Sequence, residues 1–108
     1  MKKKTSNILA LRCALLIAVS QAEIFKDIED GGTCNFDTPC LILQGWNEID
    51  IREAFLLTGL RPYIRQDNTV MIFDACSGQG FRRTAMAEAI RDSLKQSGYN
   101  AYVDYRMD

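Results

Sequence analysis

Apolar residues recur at helical spacing in two stretches of the chain, and each time the pattern switches to alternation just after a glycine. In the first stretch Ile51 and Phe55 lie four apart; beyond Gly59, Leu60, Pro62 and Ile64 then alternate with Arg61, Tyr63 and Arg65. In the second, Ile90 and Leu94 lie four apart, and beyond Gly98, Tyr99, Ala101, Val103 and Tyr105 alternate with Asn100, Tyr102 and Asp104. A four-residue spacing puts apolar groups on one helix face, and alternation puts them on one strand face. Glycine accepts the left-handed conformation that ends many helices, so Gly59 and Gly98 are the expected stops. Asn47, with Asp50 three residues on, suits the start of the first helix, and Thr84 that of the second. Each helix follows an apolar strand candidate, residues 40–46 and 69–75. The expected order is strand, helix, strand, strand, helix, strand.

The two stretches are related by an offset of 39 residues, with residues 51–65 lying over 90–104. Isoleucine, arginine, glycine and tyrosine match identically, and Glu53/Asp92, Phe55/Leu94 and Ile64/Val103 match in chemistry. A doubled unit of this kind predicts an α+β fold of the ferredoxin-like split βαβ type. This is a four-stranded antiparallel sheet with two helices on one face and the first and third strands central. Pro62 then falls in an edge strand, where a missing amide is tolerated. Tyr63 and Tyr102 fall on the side of the sheet away from the helices, accompanied by Arg61, Arg65, Asn100, Asp104 and Gln44. Aromatic rings beside hydrogen-bonding side chains make this open face the candidate ligand surface.

The N-terminus changes the expected compartment. Lys2, Lys3, Lys4 and Arg12 precede a short apolar run, residues 13–19, that ends at Ser20, Gln21 and Ala22, the layout of a secretory signal peptide. Counted from Cys13, the run is far short of the roughly 20 residues that span a bilayer. Residues 1–22 are therefore expected to be a signal peptide, an uncleaved anchor and an ordinary helix being the alternatives. Residues 23–39 are expected to be a tether or a short arm packed on the domain, and residues 40–108 the domain itself. The protein is then periplasmic or otherwise exported, meeting the membrane only through the signal segment if that is uncleaved. Loss of residues 1–22 leaves 9 basic residues against 14 acidic ones in place of 13 against 14. This disfavours nucleic acid, whose binders carry clustered positive charge.

Three cysteines lie beyond residue 22. In the expected fold the start of the first strand lies beside the end of the third, which brings Cys40 near Cys76. A bridge there would stabilise by roughly 4 kcal/mol in the chain-entropy model. Cys34 with Cys40, Cys34 with Cys76, and no bridge remain open alternatives. Histidine is absent, which removes Ser-His and Cys-His catalysis and most catalytic metal sites. No cofactor, metal or catalytic residue is expected. Glu88 and Asp92 read as a solvated helix face, and residues 76–80, with two glycines, are a weak candidate for an anion-binding nest.

An export signal, a tether and a doubled strand-helix-strand unit together resemble the SPOR (sporulation-related repeat) domains of bacterial envelope proteins, over about residues 40–105. The resemblance rests chiefly on residues 87–103, a helix leading through Gly98 and Tyr99 into Asn100, Ala101, Tyr102 and Val103, and on Leu43, Gln44 and Gly45. It implies a noncatalytic module that binds peptidoglycan glycan on its sheet face, with Gln44, Tyr63 and Tyr102 as contacts. A protein-interaction component of a secretion or conjugation apparatus is the alternative, so the expected partner is cell-wall glycan or an envelope protein.

Overall fold

The computed structural model describes residues 2–29, 31–32, 35–78 and 80–106. These residues form an α+β fold of three helices and one four-stranded antiparallel sheet. The elements are α1 (Thr5–Glu23), β1 (Thr38–Ile42), α2 (Glu48–Phe55), β2 (Tyr63–Ile64), β3 (Thr69–Met71), a single 3-10 turn (Phe73–Ala75), α3 (Gly80–Gln96) and β4 (Asn100–Asp104). The strand order is β2-β3-β1-β4, so the first and third strands are central and Pro62 adjoins an edge strand.

The helix starts follow from local chemistry in one case and not in the other. Asn47 caps α2, its side-chain oxygen accepting the Asp50 amide at 2.8 Å. Thr84 does not cap α3, which begins a turn earlier at Gly80; its hydroxyl donates instead to the Asp37 carboxylate at 2.6 Å. At the other end of α3 the Tyr99 amide bonds the Leu94 carbonyl and the Gly98 amide bonds the Lys95 carbonyl. With Gly98 at φ +94° this is a Schellman stop. Helix α2 ends sooner than its glycine: Leu56 is already extended and Leu57 takes φ +67°, with Gly59 at φ +78° completing the turn.

The core lies between the sheet and the helices, drawing Leu41, Leu43, Val70, Ile72 and Ala101 from the sheet side and Ile51, Phe55, Ile90 and Leu94 from α2 and α3. Helix α1 joins the same core. Ile8, Leu11, Leu15, Ala18 and Ala22, spaced three and four apart, are all buried against the rest of the molecule. The segment expected to leave as a signal peptide is thus docked on α2 and α3. It is a helix of 19 residues, the described helix long and apolar enough to cross a membrane. Arg12, a charge in the middle of it, donates to the Glu53 carbonyl at 2.7 Å, an oxygen in the last turn of α2 that also accepts the Leu56 amide.

Residues after α1 follow α3 back to its first turn. Arg82 bonds the Ile28 carbonyl and the Phe81 amide bonds the Gly31 carbonyl. Gly80 permits this approach, because a Cβ there would overlap the Gly31 carbonyl oxygen. The arm then enters β1 through Asp37, a buried carboxylate held by Thr84 and by the Arg106 amide.

Candidate functional site

The pairing register places the open-face residues in rows. Tyr63 pairs with Met71, Met71 with Cys40, and Cys40 with Tyr102, so one line of side chains crosses all four strands. The neighbours Ile64, Val70, Leu41 and Ala101 turn the other way, into the core. Tyr63 and Tyr102 therefore stand at the two ends of the row, three strand spacings or roughly 14 Å apart. Tyr63 is 58% exposed and Tyr102 38%, whereas Met71 and Cys40 between them are sealed.

Around this row the face is aromatic and cationic. Phe73, carried outward by the 3-10 turn, meets Tyr63 edge to face at 5.7 Å between ring centroids. Tyr63, Arg65, Met71, Phe73 and Arg106 line a shallow hollow of about 370 Å³. A second hollow of about 480 Å³ lies along residues Tyr63, Ile64, Arg65, Gln66 and Asp67 at the sheet edge. Arg106 is held by Asp104, 2.8 Å away, which keeps the guanidinium over the sheet. Asp67, in the turn between β2 and β3, accepts the Thr69 amide, and that hydrogen bond lowers its carboxyl below the usual range.

Burial raises the Tyr102 phenol, with the neighbouring Cys40 adding to the shift. It is neutral at physiological pH and carries both a donor and an acceptor. Burial also raises the Cys40 thiol, partly offset by a hydrogen bond with Tyr102. Cys40 is therefore a packed thiol rather than a nucleophile, since reactivity needs the thiolate.

Five residues of this surface were expected as ligand contacts. Tyr63, Arg65 and Tyr102 share the open face, with Tyr63 and Arg65 lining one hollow. Arg61 lies just before β2, exposed, its amide bonded to the Asp74 carboxylate at 3.1 Å. Gln44 lies beyond the end of β1, exposed in the turn that leads to Trp46. The two were expected beside the row and are set outside it, at the margins of the sheet. Phe73 and Arg106 were not anticipated. Alternation beyond residue 71 predicted a continuing strand, and the 3-10 turn that carries Phe73 to this face breaks that count.

The expected Cys40–Cys76 bridge is not formed, and both are free thiols. Cys40 sits on the open side of β1, whereas Cys76 packs against the core on the helix side, so the sheet separates them. Burial lifts the Cys76 thiol to about 11. Cys34, the other expected candidate, lies outside the described residues. Of the weak anion-nest candidate, Gln79 lies outside the described residues; just beyond it the Phe81 amide serves the Gly31 carbonyl and Arg83 Nε the Asp37 carbonyl at 2.8 Å. Glu88 accepts from the Tyr105 hydroxyl at 2.6 Å and ties β4 to α3. No protein-family model matches the chain, and neither a curated protein nor a solved structure does.

Proposed function

We propose that the chain is an exported, noncatalytic binding module of the cell envelope, and that its ligand is cell-wall glycan laid across the open sheet face. The carrying observation is the row that ends in Tyr63 and Tyr102. Two exposed rings at opposite edges of a flat face, with arginines between them and the margin, suit an extended ligand whose sugar rings stack and whose hydroxyls and carboxylates take hydrogen bonds. On this reading residues 38–104 are a ferredoxin-like split βαβ unit with α1 as an added helix, a view supported by the central position of β1 and β3. The absence of histidine and the protonated state of Cys40 and Cys76 support a binding role over a catalytic one.

The test is retention of the purified protein on insoluble peptidoglycan. The unchanged protein is expected in the pellet, and Tyr63→Ala with Tyr102→Ala in the supernatant, with the circular dichroism of both alike. Pelleting of the double variant at the unchanged level would sink the proposed surface. A second reading, a protein-interaction component of an envelope apparatus, is favoured by β4, a five-residue edge strand paired only with β1 among the described strands. Stoichiometric co-purification of a membrane partner without glycan retention would select it.

A further inference from the structure

The side of α2 and α3 that α1 covers is built to recognise one end of a helix as well as its apolar stripe. Asp50, fully buried in the first turn of α2, accepts the Lys3 backbone amide at 2.7 Å through Oδ2. Lys3 lies just before the α1 N-cap, so Asp50 supplies from outside a hydrogen-bond acceptor near the amides that a helix start leaves unsatisfied. The Lys3 ammonium stands 5.3 Å from the centroid of the Trp46 ring. A carboxylate, an aromatic face and, further along, the Glu53 carbonyl that takes Arg12 are thus set against a basic helix start.

The fit is incomplete in a way that marks a seat more than a sealed core. The second Asp50 oxygen and Arg12 Nε are buried with no hydrogen-bond partner among the described residues. Between the end of α1 and α3, a hollow of about 250 Å³ stays open beside Ile17, Gln21, Phe25 and Ser93. Leu9, Leu16 and Ile17 remain exposed, so α1 is apolar on the face it does not dock as well. A helix of this composition is also what an export apparatus removes or a bilayer takes up.

We propose that this groove is a binding site for an apolar helix with a cationic N-terminal end. α1 fills it in cis, and the α1 of a second copy of this chain, which carries the same lysines and Arg12, fills it in trans once the first is cut or withdrawn. The inference is independent of the sheet-face ligand, because it concerns the opposite side of the sheet.

The full chain is the material for the test. A protease recognition sequence inserted between Lys26 and Asp27, both exposed, lets α1 be severed after folding. A fluorescent peptide with the sequence of residues 2–23 is then added and its anisotropy followed. Saturable binding, displacement by unlabelled peptide, and a loss of about tenfold in affinity with Asp50→Asn or with Lys2, Lys3 and Lys4 replaced by glutamine are the expected results. Equal binding of a scrambled peptide of the same composition would overturn the proposal, as would failure of the severed helix to exchange. So would loss of cooperative unfolding on severing, which would make α1 a fixed core helix.

Discussion

The two copies of the helix-to-strand unit start from matched sequence and finish unlike. Helix α2 runs for 8 residues and feeds a strand of 2, while α3 runs for 17 and feeds a strand of 5. What survives in both is local: an outward tyrosine 39 positions apart, an inward Ile64 or Val103, and a glycine of positive φ before the strand. What differs is extent, and neighbours set it. The longer helix packs along α1 and β4 and carries the arm on its first turn, whereas the shorter one ends where Arg12 meets the Glu53 carbonyl. A repeat thus transmits register, and tertiary packing decides how far each element extends.

The sharpest way to break the comparison is through α1, which packs on the helix of each copy. Leu11, fully buried, is expected to cost about 3 kcal/mol when replaced by alanine, whereas Leu16→Ala, on the exposed face, should cost under about 0.5 kcal/mol. Urea melts check the magnitudes, and hydrogen exchange should show α3 losing more protection than α2, because α1 packs more extensively on α3. Equal loss in both copies would mean that α1 supports them alike.

Alkaline pH acts on the joint leading into the second copy. The Cys76 thiol is raised from 9.0 to about 11 by burial, so the folded state holds that proton more tightly than the unfolded chain does. The stability this brings is complete below pH 9 and is lost as pH rises toward 11, with a ceiling of about 2 to 3 kcal/mol. Denaturant midpoints of the unchanged protein and Cys76→Ala across that window should converge. Parallel curves would show that Cys76 does not drive the loss.

The two helix stops can be compared directly. Gly98→Ala keeps open space around the new methyl but must hold φ +94°, at a cost of about 1 to 2 kcal/mol. In the first copy Leu57 already pays for a left-handed backbone, and Leu57→Gly is expected to stabilise by up to about 1 kcal/mol while removing an exposed leucine. Thermal melts of both variants test whether the shorter copy is the strained one.

The strands, the glycine turns and the outward tyrosines were legible because each depends on periodicity within a few residues. The docking of α1 was not, although Ile8, Leu11, Leu15, Ala18 and Ala22 carry a three-and-four spacing. A helix apolar on every side masks the stripe, and the lysines before it point to export. Arg12, which interrupts the apolar run, was the local sign of a partner. The cysteine geometry failed for a different reason. Alternation correctly sets Cys40 opposite Leu41, but the 3-10 turn at Phe73–Ala75 destroys the count before Cys76. The close approach of Gly31 to Gly80 joins residues 49 positions apart and has no periodic signature.

Cys40, sealed at the centre of the tyrosine row, makes the open face self-reporting. Its thiol is covered by the side chains that a ligand would have to touch, so its alkylation rate records what happens above it. A molecule that lifts Tyr102 away opens a path to sulfur, and one that settles over the rings closes it further. Occupancy can then be followed by mass change at the Cys40 sulfur, resolved by peptide fragmentation from Cys13, Cys34 and Cys76, without labelling the ligand or knowing its identity.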